Sequence, residues 1–331
     1  MGAKYFGAVV RRREDPRLLT GRGRFVDDIR LRGMGHVAVL RSPHASARLR
    51  GIDVGAARRL PGVLAVFTHA DLADQAQVPP LESEIAPRSL AARIAFEVKH
   101  ADPALLARDR VHYVGEAVAV AVAESRALAE DALERIRVEY EPLPAVVDPE
   151  AALEPGAPRV HPEWPDNVAV HFSHAIGDVE GAFRRADIVV RERFRIQRYV
   201  GMPIETRGIV AEPGSRDTAV TVWTSHQIPH FVQTALARVL QVPAHRVRVV
   251  TPDVGGGFGT KGMVYPEDIL VPLLAVALGR PVKWIEDRRE HMQAAAHARE
   301  QIHDLELAAT SDGLLLGLRD CILMDQGAFN P

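Results

Sequence analysis

The sequence contains one cysteine, Cys321, in 331 residues. A single thiol excludes an intrachain disulfide, a cysteine-rich zinc site and a cysteine-ligated iron–sulfur cluster. Any redox centre of this chain is therefore a cofactor that no cysteine array holds. Cys321 sits in the apolar, strand-like run LRDCILMD, which predicts a buried structural thiol. An excess of one charge is also lacking. The 41 Lys and Arg against 43 Asp and Glu leave a net charge of −2, so composition gives no electrostatic case for nucleic acid or anionic membrane. No apolar run reaches the length of a spanning helix. The N-terminus, MGAKYFGAVVRRRED, has no apolar signal-peptide core, and Phe6 stands where a myristoylation motif needs Ser or Thr. A cytoplasmic protein is the resulting expectation. Internal repeats and low-complexity tracts are absent too.

What is present reads as mixed α/β in two parts. GHVAVLRSP, GVLAVFTHADL, RVHYVGEAVAVAVAES and RIRVEYEPL predict short buried strands bounded by turn residues. Between the last two, Ser125 is placed to cap a helix carrying Leu128, Ala129, Ala132, Leu133 and Ile136 at helical spacing. Residues 74–108 are polar and weakly periodic and predict an irregular excursion. The Pro- and acid-rich stretch EPLPAVVDPEAALEPGAPRVHPEWPDN predicts a linker, with a domain boundary near residue 145. Beyond it, DVEGAFRRA predicts a short helix, while DIVVRERFRIQ, TAVTVWTSHQ and HRVRVVTP predict strands. Pro229 opens a helix with an apolar stripe of Phe231, Leu236, Val239 and Leu240.

The last of these strands runs into Gly255, Gly256, Gly257 and Gly259, with Phe258 between them. Glycine permits positive φ and lets backbone N–H groups face a ligand, and such concavities suit anions. A phosphate loop requires G-x-x-x-x-G-K-[ST]; Lys261 follows Thr260 and precedes Gly262, so that pattern fails. Gly257, Gly259 and Gly262 do fit G-x-G-x-x-G, and Glu286 closes the next strand, PVKWIED, at the distance of a ribose-binding acid. A nicotinamide-dependent dehydrogenase is therefore a live alternative. Against it stand Pro266 just past the motif and TPDVGG between strand and glycines. His226 and His230 are four apart, but Pro229 interrupts a helix between them, which disfavours a metal pair. His291, His297 and His303 are spaced by six, matching neither a helix face nor a ligand motif. Residues 286–290, EDRRE, predict a helix-start cluster of local ion pairs. Glu205 is left open between a site wall and a structural carboxylate.

A resemblance embraces these words together. GGGFG before Lys261 resembles the loop in the large subunit of the xanthine oxidase family of molybdenum hydroxylases. TGRGRFVDDI, RSPHASARLRGID and VGEAVAVAVAES…EYEPLPAVVD resemble the family's a/b hammerhead domain. PIETRG, TSHQIPH and LGRPVKWIEDRREH resemble the start of its molybdopterin-binding domain. GGGFGTKGMVYPED is most similar to the aerobic carbon monoxide dehydrogenase type. Gly262 replaces the glutamate that follows the lysine in xanthine dehydrogenases, so the purine-binding role of that glutamate has no counterpart.

The resemblance implies an α+β and α/β fold. It places an N-terminal tail at 1–14, a hammerhead domain at 15–143, a linker at 144–165 and an incomplete molybdopterin-binding domain at 166–331. It implies molybdenum on a molybdopterin, of the cytosine dinucleotide form, without a protein ligand to the metal. It implies hydroxylation of a carbon centre, in carbon monoxide, an aldehyde or an N-heterocycle, with water as the oxygen source. Electrons would pass to an iron–sulfur (2Fe-2S) small subunit and an FAD-binding medium subunit, in a dimer of heterotrimers. Phe258 and Gly259 would present backbone N–H groups to the molybdenum's oxygen ligands, Gly256 and Gly257 would allow the close approach, and the Gln227 amide would donate to the oxo group. The family's large subunit is more than twice as long, and its catalytic base matches no residue here, so the chain alone is expected to be inactive. A gene fragment, a frameshift product or a subunit completed by a second chain would each fit, as would a non-catalytic docking scaffold that keeps the hammerhead domain.

Overall fold

A computed structural model describes residues 7–72 and 98–329. The first part of the chain carries α1 (Asp15–Leu19), β1 (Gly35–Arg41), β2 (Ala47–Asp53), α2 (Gly55–Arg58), β3 (Val63–Thr68), β4 (Arg110–Val111), β5 (Ala117–Ala123), α3 (Arg126–Leu133) and β6 (Arg137–Pro142). The second carries α4 (Val179–Arg185), β7 (Ile188–Ile196), β8 (Gly208–Pro213), β9 (Val220–Thr224), α5 (Pro229–Val239), β10 (Val247–Val250), α6 (Pro266–Leu278), β11 (Val282–Ile285), α7 (Arg288–Ala294), β12 (Gln301–Ala309) and β13 (Leu315–Met324). Most of the expected elements form where the patterns put them. β5, AVAVAVA, is buried at every position because layers cover both faces, so its pattern is continuous rather than alternating. Ser125 caps α3 as expected, its hydroxyl accepting from the Leu128 amide at 3.3 Å.

The two parts share one sheet. Its seven strands run β10-β9-β8-β11-β1-β5-β3, and β1 pairs in parallel with β11 through Gly35–Val282 and His36–Lys283. The linker-like composition near residue 145 thus does not separate the two cores. A three-stranded sheet β4-β2-β6 completes the first part, and a second one, β13-β12-β7, carries the end of the chain. Residues 73–97, most of the predicted excursion, lie outside the described residues. The rest of that stretch is not peripheral: Leu105 and Leu106 are fully buried in the main core with Val120, Leu236 and Trp284.

Cys321 corrects an expectation. It is exposed, because the β12–β13 register sets it beside Asp304 on a face lined by Arg193 and Arg195 rather than against the core. The apolar letters around it belong to a strand whose two faces are both largely accessible.

The main sheet closes over a buried chain of charges. Arg41 of β1 donates to Glu267 of α6 at 2.5 Å and to Glu290 of α7 at 3.1 Å. Glu267 also accepts from Arg207 at 3.2 Å. Arg207 grips Glu286 through Nη2 at 2.5 Å, Nε at 3.0 Å and its backbone N–H at 3.1 Å. Its guanidinium lies 3.9 Å over the Tyr265 ring. His291 sets Nδ1 2.8 Å from Glu286 and Nε2 2.8 Å from the Gly201 carbonyl. Glu286 and Glu290 therefore do not make the local ion pairs expected of a helix-start cluster. Their arginine partners are distant in sequence, His291 being the one neighbour that reaches Glu286, and Asp287 and Glu290 make the reciprocal backbone caps of α7.

Burial alone would raise the Glu286 carboxyl, but Arg207 and His291 outweigh it and lower it to about 2. Replacing Glu286 with Gln leaves buried Arg207 only the Glu267 carboxylate, which it shares with Arg41, so one buried positive charge loses its compensation. Removing one partner of such a pair costs about 3–5 kcal/mol, which urea unfolding at neutral pH will show as a lowered midpoint. The sign with pH follows from the lowered value. The Glu286 contribution is complete above the ordinary glutamate value of 4.5 and is lost as pH falls from there toward about 2. Unfolding midpoints of the parent and Glu286→Gln chains should therefore converge across that acid window.

Candidate functional site

The glycine loop lies between β10, which ends at Val250, and α6, which opens at Pro266. Its backbone needs glycine for two separate reasons. Gly256 and Gly259 take φ of +102° and +89°, conformations that disfavour side chains. Gly257 has an ordinary φ but no room: an added Cβ would lie 2.5 Å from Gln227 Oε1. Phe258 takes φ of +52° despite its side chain, and it is 75% exposed, its ring lying over the Gly256 position, where an added Cβ would meet it at 3.1 Å.

Gln227 and the loop hold each other. Gln227 lies between β9 and α5, and its backbone N–H donates to the Lys261 carbonyl at 2.7 Å. Its Oε1 accepts from the amides of Gly259 at 3.1 Å and Lys261 at 3.3 Å. Only oxygen can accept, so these two bonds fix the amide orientation and leave Nε2 directed away from both. Among the described residues Nε2 has no protein partner. The neighbouring His226 is a structural cap: Nδ1 accepts from Ile228 N at 2.9 Å, so Nε2 carries the proton and donates to the Met263 carbonyl at 2.9 Å. It is thereby committed to the backbone and not to a metal with His230.

Glycine amides fall into two groups. The N–H groups of Gly256, Gly257 and Phe258 have no protein acceptor among the described residues, whereas Gly259 N–H is taken by Gln227. This alters the expectation that Phe258 and Gly259 together face a ligand: the Gly259 amide turns inward because positive φ at both Phe258 and Gly259 folds the chain back over Gln227. Three successive N–H groups, ending at Phe258, remain for one.

Under the loop lies a cluster that spacing did not reveal. Lys261 Nζ is 2.9 Å from Glu205 and 2.7 Å from Ser225 Oγ, and Glu205 accepts the Gly255 amide at 2.7 Å. Glu205 is thus a supporting carboxylate behind the loop. The only sequence hint was a lysine beside a glycine run that fails the phosphate-loop pattern. Asp253, just before the glycines, accepts two hydrogen bonds from the Arg17 guanidinium and one from the Arg24 amide at 2.7 Å, which hold its carboxyl at about 2. Residues 17–24 are thereby fastened to the start of the loop.

The dinucleotide alternative does not assemble. Glu286, its ribose-binding candidate, is inside the core on Arg207, and α6 begins seven residues after Gly259 rather than at the glycines. His291, His297 and His303 are likewise dispersed, onto Glu286, the Met292 carbonyl and Asp320.

Three loop amides without an acceptor among the described residues, with the Glu205 carboxylate behind them paired to Lys261, are suited to an oxygen-rich anionic group. Comparison with known proteins gives the family. Residues 160–331 match the molybdopterin cofactor-binding domain, and residues 20–144 match the a/b hammerhead domain of aldehyde oxidase and xanthine dehydrogenase. The chain belongs to this molybdopterin-binding family. It is 40% identical to the nicotine 6-hydroxylase large subunit of Paenarthrobacter nicotinovorans, across 98% of this chain and 38% of that one. It is 37% identical to the carbon monoxide dehydrogenase large chain of Afipia carboxidovorans, across 98% and 40%. The crystal structure of quinoline 2-oxidoreductase from Pseudomonas putida 86 superposes with a TM-score of 0.89 at 44% identity, across 98% and 40%. The chain thus spans about 40% of the length of the relatives it matches. No helix among the described residues is long and apolar enough to cross a membrane. The family's hammerhead and the first part of its cofactor domain account for the mixed α/β architecture, and the free donors at Gly256–Phe258 and Gln227 fit an anionic pterin cofactor.

Two glycine substitutions separate the causes. Gly259→Ala meets no atom within 4 Å and bears only the positive φ, a cost of about 1 kcal/mol. Gly257→Ala must displace Gln227 from both amides, a cost of about 1–3 kcal/mol for the stranded donors. Thermal unfolding should therefore rank Gly257→Ala below Gly259→Ala, the reverse of a ranking by φ alone.

Proposed function

We propose that this chain is the N-terminal, cofactor-cradling portion of a molybdenum hydroxylase large subunit. The observation that carries the reading is the locked Gln227 amide, with Nε2 directed outward beside three unpaired loop amides. When bound, the molybdenum cofactor supplies the electron acceptor for oxidation of a carbon centre, with water as the oxygen source. The chain's own part is to bind and orient. The Gly256, Gly257 and Phe258 amides hold anionic oxygen without a cation, and Gln227 Nε2 adds a donor without adding charge. Lys261 neutralises Glu205, so the support behind the loop does not repel an anion. The cytosine dinucleotide form of the pterin is the proposed ligand. An iron–sulfur (2Fe-2S) small subunit and an FAD-binding medium subunit are the proposed electron-accepting partners, in a cytoplasmic dimer of heterotrimers.

Among the substrates open from sequence, an N-heterocycle is favoured. Relatives named for nicotine and quinoline share 40% and 44% identity with this chain, against 37% for the carbon monoxide dehydrogenase large chain. Turnover by these residues alone is not part of the proposal.

The purified native complex should contain molybdenum in near-stoichiometric amount by elemental analysis. A folded, active complex without molybdenum would remove the proposal. Gln227→Leu should keep the fold and lower the turnover of the complex by roughly a hundredfold or more, the cost of one lost transition-state donor.

A further inference from the structure

Lys261 is the largest charged side chain sealed in the interior beside the loop, its side chain 0% exposed. Its ammonium donates to Glu205 Oε2 at 2.9 Å and to Ser225 Oγ at 2.7 Å. The same Oε2 accepts from Ser225 Oγ at 2.5 Å and from the Gly255 amide at 2.7 Å, while Glu205 N donates back to the Gly255 carbonyl at 3.2 Å. Glu205 Oε1 is buried and has no hydrogen-bond partner among the described residues. Stability alone does not explain such a group. An apolar pair of equal volume fills the same space without desolvating two charges.

The geometry accounts for what an apolar pair could not do. Lys261 reaches down to Glu205 with its side chain, while its own backbone N–H and C=O bracket Gln227. Glu205 in turn holds the first glycine of the loop from the opposite end. A single ion pair therefore spans the loop, from Gly255 to Lys261, and closes it against Gln227. The seat has no room for a side chain: a Cβ at Gly255 would lie 2.5 Å from Glu205 Cβ.

We infer that Lys261 and Glu205 are positioning residues, a buried clasp that fixes the Gly256–Phe258 amides and the Gln227 amide in the orientation that receives the cofactor. This rests on the proposed function. Both side chains act through the loop, Lys261 at its end and Glu205 on the Gly255 amide.

The test compares the native complex with Lys261→Met, Glu205→Gln and the double variant. Three quantities are read: hydrogen exchange of the 255–261 amides, molybdenum retained after dialysis, and the unfolding midpoint. Each single variant should speed loop exchange and molybdenum loss by roughly tenfold or more, the ratio one lost charge-assisted hydrogen bond corresponds to. The double variant removes both charges, so its unfolding midpoint should recover toward that of the parent while loop exchange and molybdenum loss stay fast. That separation of stability from positioning is what a purely structural pair would not give. If the double variant regains parental loop exchange, or if the single variants exchange and retain molybdenum as the parent does, the inference is overturned. Should the single variants fail to fold, the double variant carries the test alone. If the parent complex holds no molybdenum, the proposed function fails, and the exchange measurement still decides whether the clasp orders the loop.

Discussion

The constraint on which the rest of this structure depends is the compensation of charge inside the main core. Arg41, Glu267, Arg207 and Glu286 lie in series, each within hydrogen-bond reach of the next and each almost wholly buried. An unpaired charge in that position would cost several kcal/mol, so each element carrying one is obliged to stay in register with its neighbours. β1 comes from the first part of the chain, while α6, β11 and the segment before β8 come from the second. The series therefore joins regions that composition presents as separate. The parallel pairing of β1 with β11 is short, two residue pairs, and the ion series beside it supplies the specificity that so short a ladder lacks.

That frame positions the site. Arg207 holds β8 to β11 through Glu286, and Thr206 adds a bond to the Glu286 carbonyl at 2.6 Å. The chain just before it, residues 201–205, is held from the other side by His291 on the Gly201 carbonyl and by Arg288 on the carbonyls of Pro203 and Ile204. This segment is the wall against which the glycine loop rests: Gly255 meets Glu205, Gly256 meets Pro203, and Thr260 and Phe258 meet Gly201. Tyr265, stacked on Arg207, closes the far end by donating to the Thr260 carbonyl at 2.6 Å. A loop without regular structure is in this way held by rigid elements on every side, as an anion-receiving backbone must be if it is to present its amides without first being ordered.

Two buried ion systems lie close together yet serve different ends. The Arg41–Glu286 series is satisfied almost throughout and joins sheets and helices. The Lys261–Glu205 pair is smaller, shares its contacts with a hydroxyl and a backbone amide, and ends at the loop. Burial works against the Lys261 ammonium and lowers its pKa, with Glu205 pulling the other way. Arg207 shows the opposite balance, since Glu267 and Glu286 together outweigh its burial.

Much of this was legible in the sequence because it depends on local patterns. Strands β1, β3, β5 and β6 follow from apolar runs between turn residues, α3 from Ser125 and its periodic stripe, and α5 from Pro229. The glycine motif and the words around it carry the resemblance to the family, and the two domain matches bear it out. What could not be read is what side chains do across the fold. Glu286 and Glu290 look like a local helix-start cluster, yet their charges answer to Arg207 and Arg41, which lie 79 and 249 residues away. Cys321 has apolar neighbours in sequence and charged neighbours in register. The Gly259 amide looks like a ligand donor until Gln227 is seen to take it. Sequence by itself therefore determined most of the elements and the loop that needs glycine, since steric limits and periodicity act over a few residues, while the family rests on the resemblance of its motifs. Tertiary structure alone decided which charges are paired, which amides remain free and which residues support the loop, since electrostatic compensation acts between atoms that only folding brings together.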